Sequence, residues 1–207
     1  MSQTWRVPAR KDTGAPQREL PPRGSHAARC VAVIDLGHQL RRKYQSQERE
    51  WKHLLYLGWE LVDLPARPVV GREFLVSLHE KAGLRHFVDQ WVGSIPDESD
   101  FDLLTLAGRP CYLSCDHERK NDKTFLRIEG ATPPPMVKGQ VVEVDPPQHK
   151  PLTWTLANGM ESSLPDWLPY LYGRSLTDWI MDSRERRGAT TPDAPDEPDQ
   201  GMDSVAY

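Results

Sequence analysis

Two runs of alternating residues near the start of the chain decide the fold: RCVAVIDLG at residues 29–37 and WKHLLYLGWEL at residues 51–61. Alternate side chains of a β-strand point to opposite faces, so a period of two is the pattern of a strand. A basic connector separates the two runs. The pattern predicts two strands joined by a polar loop.

Four further elements follow these strands. They are a third strand over 72–78, a short helix near 81–92, and two strands over 109–117 and 123–130. This order predicts a mostly β protein with a five-stranded OB-type barrel, one inserted helix, a C-terminal helix and flexible tails. OB barrels bind oligonucleotides and oligosaccharides across strands 2 and 3 and at the first and last hairpin loops.

The ends of the chain differ from its middle. Prolines concentrate in the first 22 residues, around 133–151 and beyond 192, and the mean hydropathy is −0.64. We therefore predict a basic flexible segment (1–27), the barrel (28–131), a proline-rich connector with a packed helix (132–187) and an acidic disordered tail (188–207).

No run approaches the ~20 apolar residues that span a bilayer, and the first 20 residues lack the apolar stretch of a signal peptide. We expect a cytoplasmic protein without membrane contact. An odd number of cysteines without secretory context predicts reduced thiols at Cys30, Cys111 and Cys115. Residues four apart on a strand are separated by roughly 13 Å, too far for one zinc ion, so we expect no metal and no cofactor.

Strand periodicity divides the side chains between an inner and an outer face. The predicted inner positions are Leu55, Leu57, Trp59, Leu61, Cys111, Leu113, Cys115, Leu126 and Ile128. The third strand is ambiguous, because either Phe74, Val76 and Leu78 or Leu75 could face the core.

The predicted outer face alternates aromatic and basic residues. Rings that stack on bases and cations that follow phosphates are what sequence-tolerant single-strand binding requires. Both hairpin loops are also rich in basic residues. The predicted nucleic-acid-binding residues are Arg41, Arg42, Lys43, Lys52, Tyr56, Arg72, Tyr112, Arg119, Lys120, Lys123, Phe125 and Arg127.

Five short motifs occur in a characteristic order: VIDLG (33–37), LGWEL (57–61), LHEKAGLR (78–85), GRPC (108–111) and LPDW (164–167). Together they resemble phage-encoded OB-fold single-stranded DNA-binding proteins of replication and recombination modules. The resemblance covers roughly residues 26 to 184. It implies a barrel that coats single-stranded DNA in the bacterial host cytoplasm, and it carries no catalytic residue.

The C-terminal region combines a predicted helix with an acidic end. Residues 164–187 have core-like spacing at Leu176, Trp179 and Ile180, although Pro169 interrupts the segment. The tail that follows contains five carboxylates and no basic residue: Asp193, Asp196, Glu197, Asp199 and Asp203. Either it only aids solubility, or it competes for the basic groove and recruits replication or recombination proteins.

The sequence does not predict an enzyme. The acidic residues between Asp97 and Asp102 and the pair His79-Glu80 lack a recognisable ligand or catalytic spacing. The alternative to DNA binding is a phage structural or host-factor-binding protein on the same scaffold, without nucleic acid. The oligomeric state is left open.

Overall fold

The computed structural model describes residues 19–43, 46–95, 101–120, 123–158 and 164–188. The predicted acidic tail and most of the predicted basic N-terminal segment lie outside these ranges.

The main sheet has six strands, and five of them follow one another in the order β3-β2-β1-β4-β5 with antiparallel neighbours. They are β1 (Gly24–Arg42), β2 (Arg49–Leu61), β3 (Val69–Leu75), β4 (Pro110–Lys120) and β5 (Lys123–Thr132). The predicted mostly β class is confirmed. The first strand starts at Gly24 rather than Arg29, inside the segment predicted to be flexible.

Smaller elements complete the described chain. β6 (Met136–Val137) and β7 (Gln140–Val141) form a separate hairpin, and β8 (Leu152–Trp154) pairs in parallel with β1. The helices are α1 (Gly83–Val92), α2 (Leu176–Met181) and α3 (Arg184–Arg187), with 3₁₀ turns at Leu103–Leu106 and Leu156–Asn158. The predicted C-terminal helix is therefore two short helices.

The sheet is open between β3 and β5. Among the described residues no backbone ladder joins these two strands, so the predicted closed barrel is not confirmed. Instead, Arg72 on β3 donates from Nη1 to the carbonyl oxygen of Ile128 on β5 over 3.0 Å. Its guanidinium lies 4.7 Å from the ring centroid of Phe74. A side chain thus connects the two strands where a ladder would close the sheet.

The main core lies between the inner face of the sheet and α1. The predicted inner residues of β2 and β4 are all buried there, Ile128 is buried with them, and Leu126 packs against the cluster. On β3, Phe74 is buried and Leu75 is 46% exposed, which settles the ambiguity of the third strand. The helix contributes Leu84, Phe87, Val88 and Trp91.

A second core covers the outer face of β1 and β2. The sheet contributes Ala32, Ile34, Leu36, Leu54 and Tyr56, and the later chain contributes Trp154, Leu168, Leu171, Leu176, Trp179 and Ile180. Every residue of β1 from Cys30 to Ile34 is apolar and fully buried, so each face of the strand must be shielded from water. The C-terminal segment provides the outer shield.

Glu60 fastens the proline-rich connector to this outer face. Its side chain is fully buried and accepts hydrogen bonds from the backbone amides of Gln148 (2.8 Å) and His149 (3.0 Å) and from His149 Nδ1 (2.7 Å). Burial acts to raise the pKa of the Glu60 carboxyl, but these donors outweigh it and hold the pKa below its ordinary value.

We expect Glu60→Gln to lower the free energy of unfolding by roughly 1.5–3 kcal/mol at pH 7, because hydrogen bonds to a charged acceptor are lost. A depressed folded-state pKa gives stability that is present above the unfolded value of about 4.3 and is lost as pH falls through the folded value. The difference in free energy of unfolding between wild type and variant, measured by urea unfolding, should therefore become smaller below about pH 4. A constant gap would contradict this account, and exposed Glu48→Gln is the control.

The ring of Tyr56 lies flat across two glycines of neighbouring strands. A Cβ atom on Gly71 would be 2.0 Å from the Tyr56 hydroxyl oxygen, and one on Gly58 would be 3.0 Å from Tyr56 Cε1. Neither glycine has a positive φ. Their function is therefore to leave room for the ring.

Gly71→Ala should destabilise the protein by about 1–3 kcal/mol, the usual cost of overpacking. Gly83→Ala is the matched control, because a Cβ there meets nothing within 4 Å. It occupies the first position of α1, so it should leave stability unchanged or raise it slightly. Urea midpoints measure both. Equal stability of Gly71→Ala and wild type would show that Tyr56 is not packed as described.

Candidate nucleic-acid interface

The predicted exposure of Tyr56 is wrong. Its side chain points away from the main core, as strand parity predicts, but it is only 1% exposed because the C-terminal segment covers it. Its neighbours Ile34 and Leu54 on the same face are also buried. In this arrangement Tyr56 contacts protein and cannot stack on a base.

Arg41 contacts the same C-terminal segment and is partly buried. Its Nη2 lies 3.0 Å from Glu73 Oε1, and its guanidinium lies 4.8 Å from the Trp179 ring centroid. The Tyr172 hydroxyl donates to the same carboxylate oxygen over 2.9 Å. Burial raises the pKa of the Glu73 carboxyl, and the charge of Arg41 opposes that rise. The geometry assigns Arg41 to holding the C-terminal segment on the sheet.

Arg72 also has a structural position. The guanidinium that was predicted to contact phosphate lies over Phe74 and donates to the carbonyl of Ile128. Parity explains this placement, because Arg72 is paired with the inner residue Leu57 and therefore points to the core side of the sheet. Sequence spacing alone did not distinguish it from an outward cation.

The two basic hairpins lie at opposite ends of β1. The β1–β2 turn lies at the C-terminal end of β1, where Arg42 pairs with Arg49. The β4–β5 turn lies beyond the N-terminal end of β1, because Gly24, the first residue of β1, pairs with Cys115 and β4 continues past that pair. Near the first turn, Lys43 lies 3.7 Å from Glu48 and Lys52 lies 2.9 Å from Glu50. The first loop is therefore partly neutralised and is not continuous with the second.

The outer face of β4 and β5 gathers five of the predicted residues. Tyr112 and Lys120 lie on β4, and Lys123, Phe125 and Arg127 lie on β5. Lys120 pairs with Lys123 across the strands, and Phe125 pairs with Glu118. Phe125 is 41% exposed, and Tyr112 is half-buried. Arg119 is also exposed, but it pairs with Thr124 and therefore points to the opposite face.

Acidic residues moderate the charge of this face. Asp116 lies 3.2 Å from Arg23, and Glu129 lies 3.9 Å from Arg127. Glu118 is the cross-strand neighbour of Phe125. The surface therefore offers one exposed ring beside a few cations, and it can contact only a small number of phosphates.

Two features were not predicted from the sequence. The β6–β7 hairpin exposes Met136, Val137 and Val141. Asp35, His38, His53 and Glu185 form a polar cluster beside α3. The hairpin could have been noticed in the sequence, because apolar residues flank a turn at Lys138 and Gly139. The polar cluster could not, because His38 and Glu185 are 147 positions apart in the chain.

Models of known protein families give no match to this sequence, and no curated protein matches it significantly. Within the described ranges, no helix combines the length and the apolar character needed to cross a membrane.

Proposed function

We propose that this protein binds single-stranded DNA through the outer face of the β4–β5 hairpin. The observation that carries the proposal is the position of Phe125, an exposed ring with Lys123 and Arg127 as its same-face neighbours along β5. A base can stack on the ring while the flanking cations reach the phosphates on either side. Lys120, the cross-strand partner of Lys123, extends the cationic path toward the turn.

The architecture supports this proposal. An OB-fold is a partly open Greek-key barrel, so an antiparallel sheet with a seam between β3 and β5 is compatible with one. The motif order that resembles phage single-strand-binding proteins points to the same function. On this basis the protein would coat single-stranded DNA in the bacterial cytoplasm, and its acidic tail would recruit replication or recombination proteins.

The interface proposed here is smaller than the one predicted from the sequence. It omits Tyr56, Arg41 and Arg72, whose side chains are occupied within the fold. It also omits the β1–β2 loop, which lies at the far end of β1. Because few phosphates are contacted, we expect only a modest salt dependence.

A second candidate function is docking to a host or phage protein without nucleic acid. The β6–β7 hairpin favours it, because exposed apolar side chains on a small ribbon are typical of protein contacts. Salt-sensitive binding to oligonucleotides of unrelated sequence would separate the two functions, since a protein-docking surface does not require it.

Phe125→Ala should weaken binding to a single-stranded oligonucleotide by roughly 5- to 150-fold, which corresponds to about 1–3 kcal/mol per stacked base. The measurement is a fluorescence titration with labelled single and double strands. Tyr170→Ala is the control, because Tyr170 is an aromatic residue that is 59% exposed but lies in the C-terminal segment.

Lys123→Gln and Arg127→Gln should each reduce the slope of log affinity against log salt by about 0.7. Wild-type affinity in Phe125→Ala, or equal affinity for single and double strands, would contradict the proposed function. If the salt dependence of binding were unchanged in both charge variants, Lys123 and Arg127 would not contact phosphates.

A further inference from the structure

Two histidine rings stack on the outer side of the β1–β2 hairpin. His38 and His53 are direct cross-strand partners, their ring centroids are 4.8 Å apart, and their planes differ by 23°. Both side chains are partly exposed. Two stacked imidazoles can both carry a proton only if nearby negative charge offsets their repulsion.

Each ring is bound to its own carboxylate. His53 Nε2 lies 2.7 Å from Asp35 Oδ1, and His38 Nδ1 lies 2.5 Å from Glu185 Oε1. The backbone amide of His38 also donates to Glu185 Oε2 over 3.0 Å. Glu185 belongs to α3 and the other three residues belong to the sheet. One carboxylate therefore ties α3 to β1 at two points.

The backbone of β1 is shaped to receive α3 at this place. A register irregularity lies between Asp35 and Gly37, and Gly37 has a φ of +70°. A Cβ atom there would lie 2.7 Å from Glu185 Oε2 and 2.8 Å from Ser183 Cβ. The Gly37 amide donates to Asp35 Oδ1 over 2.9 Å, which orients the carboxylate that binds His53.

We propose that Asp35, His38, His53 and Glu185 form a proton-controlled latch that holds α3 on β1 and loosens as the solution becomes alkaline. A protonated imidazole strengthens both carboxylate contacts by adding charge to the hydrogen bonds. Loss of the proton leaves a neutral imidazole that donates to a charged carboxylate, without the attraction between opposite charges.

The direction of the pH effect is argued from His53, which stacks on His38 and whose charge interacts with Glu185 of α3. The hydrogen bond to Asp35 raises its pKa, burial opposes the rise, and the charges of Asp35 and Glu185 add to it. A raised folded-state pKa gives stability that is fully present below the ordinary value of about 6.5 and is lost as pH rises through the folded value. The carboxylates stay charged through this range, because the pKa values of Asp35 and Glu185 are lowered.

The other charges around the latch have separate contacts. On α3, Arg187 pairs with Asp182 at 2.9 Å, Arg186 donates to the carbonyl of Leu156, and Arg184 lies at the exposed start of the helix. On β2, Lys52 is paired with Glu50. The 3₁₀ turn presents the backbone of Leu156 to Asp35. Of the charged groups around the latch, Asp35 and Glu185 are the ones that contact the two imidazoles.

Release of α3 would have a consequence for the predicted tail. The acidic residues that begin at Asp193 follow α3 in the sequence. An undocked α3 would lengthen the chain that connects them to the sheet, and tether length sets the effective concentration of a tethered segment. This effect on the tail depends on the proposed function, whereas the latch does not.

Amide hydrogen exchange of His38 in the full-length protein tests the latch, because its N–H is bonded to Glu185. After correction for intrinsic rates, protection should fall by about 2- to 5-fold between pH 6 and pH 8, the range expected for an exposed ion pair. Glu185→Gln keeps the shape of the side chain and should abolish this pH dependence. His86→Gln, on the exposed face of α1, is the control and should retain it.

A second measurement does not depend on the stability of any variant. The ring carbon signals of His53 in the wild-type protein should titrate above the reference value of about 6.5. Titration at or below that value would overturn the proposal, and so would His38 protection that is the same at pH 6 and pH 8. An unchanged pH dependence in Glu185→Gln would also overturn it.

Discussion

The structure depends on the burial of both faces of strand β1. From Cys30 to Ile34 every residue is apolar, and the strand places Cys30 and Val33 in the main core and Ala32, Ile34 and Leu36 in the second. A strand of this kind needs a layer on each side. Helix α1 covers the inner face, and the segment that contains α2 covers the outer face.

This constraint determines where a ligand can bind. The OB-type barrel predicted from the sequence would bind a ligand on the face of strands 2 and 3. In the structure, Tyr56 on β2 and Glu73 on β3 are covered by Trp179 and Tyr172. Arg41 and Arg174 lie 4.8 and 4.9 Å from the Trp179 ring centroid. The C-terminal segment thus occupies the predicted surface, and the β4–β5 hairpin remains as the exposed part of the outer face with an aromatic residue among cations.

The sequence predicted most of the secondary structure and the inner face, because strand parity is a local property. It placed Leu57, Trp59 and Leu113 in the core correctly. Tyr56 was misjudged because its burial depends on Trp179, which is more than 120 positions away in the chain. Its outward parity was correct, but parity says which face a side chain joins and not what covers that face.

Charged residues were harder to predict for the same reason. Arg41 and Arg72 resemble surface cations in sequence, yet Arg41 pairs with partly buried Glu73 and Arg72 donates a hydrogen bond to the backbone of Ile128. The cluster of His38, His53 and Glu185 requires β1, β2 and α3 to meet, which local patterns do not encode. In contrast, Phe125 and Lys123 lie beside a hairpin turn, where local alternation is sufficient to predict an outward position.

The most direct test of this account is a map of backbone amide chemical shifts during titration with a short single-stranded oligonucleotide. The account predicts changes centred on Lys123, Phe125 and Arg127 and on their β4 neighbours, with Tyr56 and Trp179 unaffected. Changes centred on Tyr56, Trp179 and α2 would contradict it, because they would show that DNA enters the face that the C-terminal segment covers.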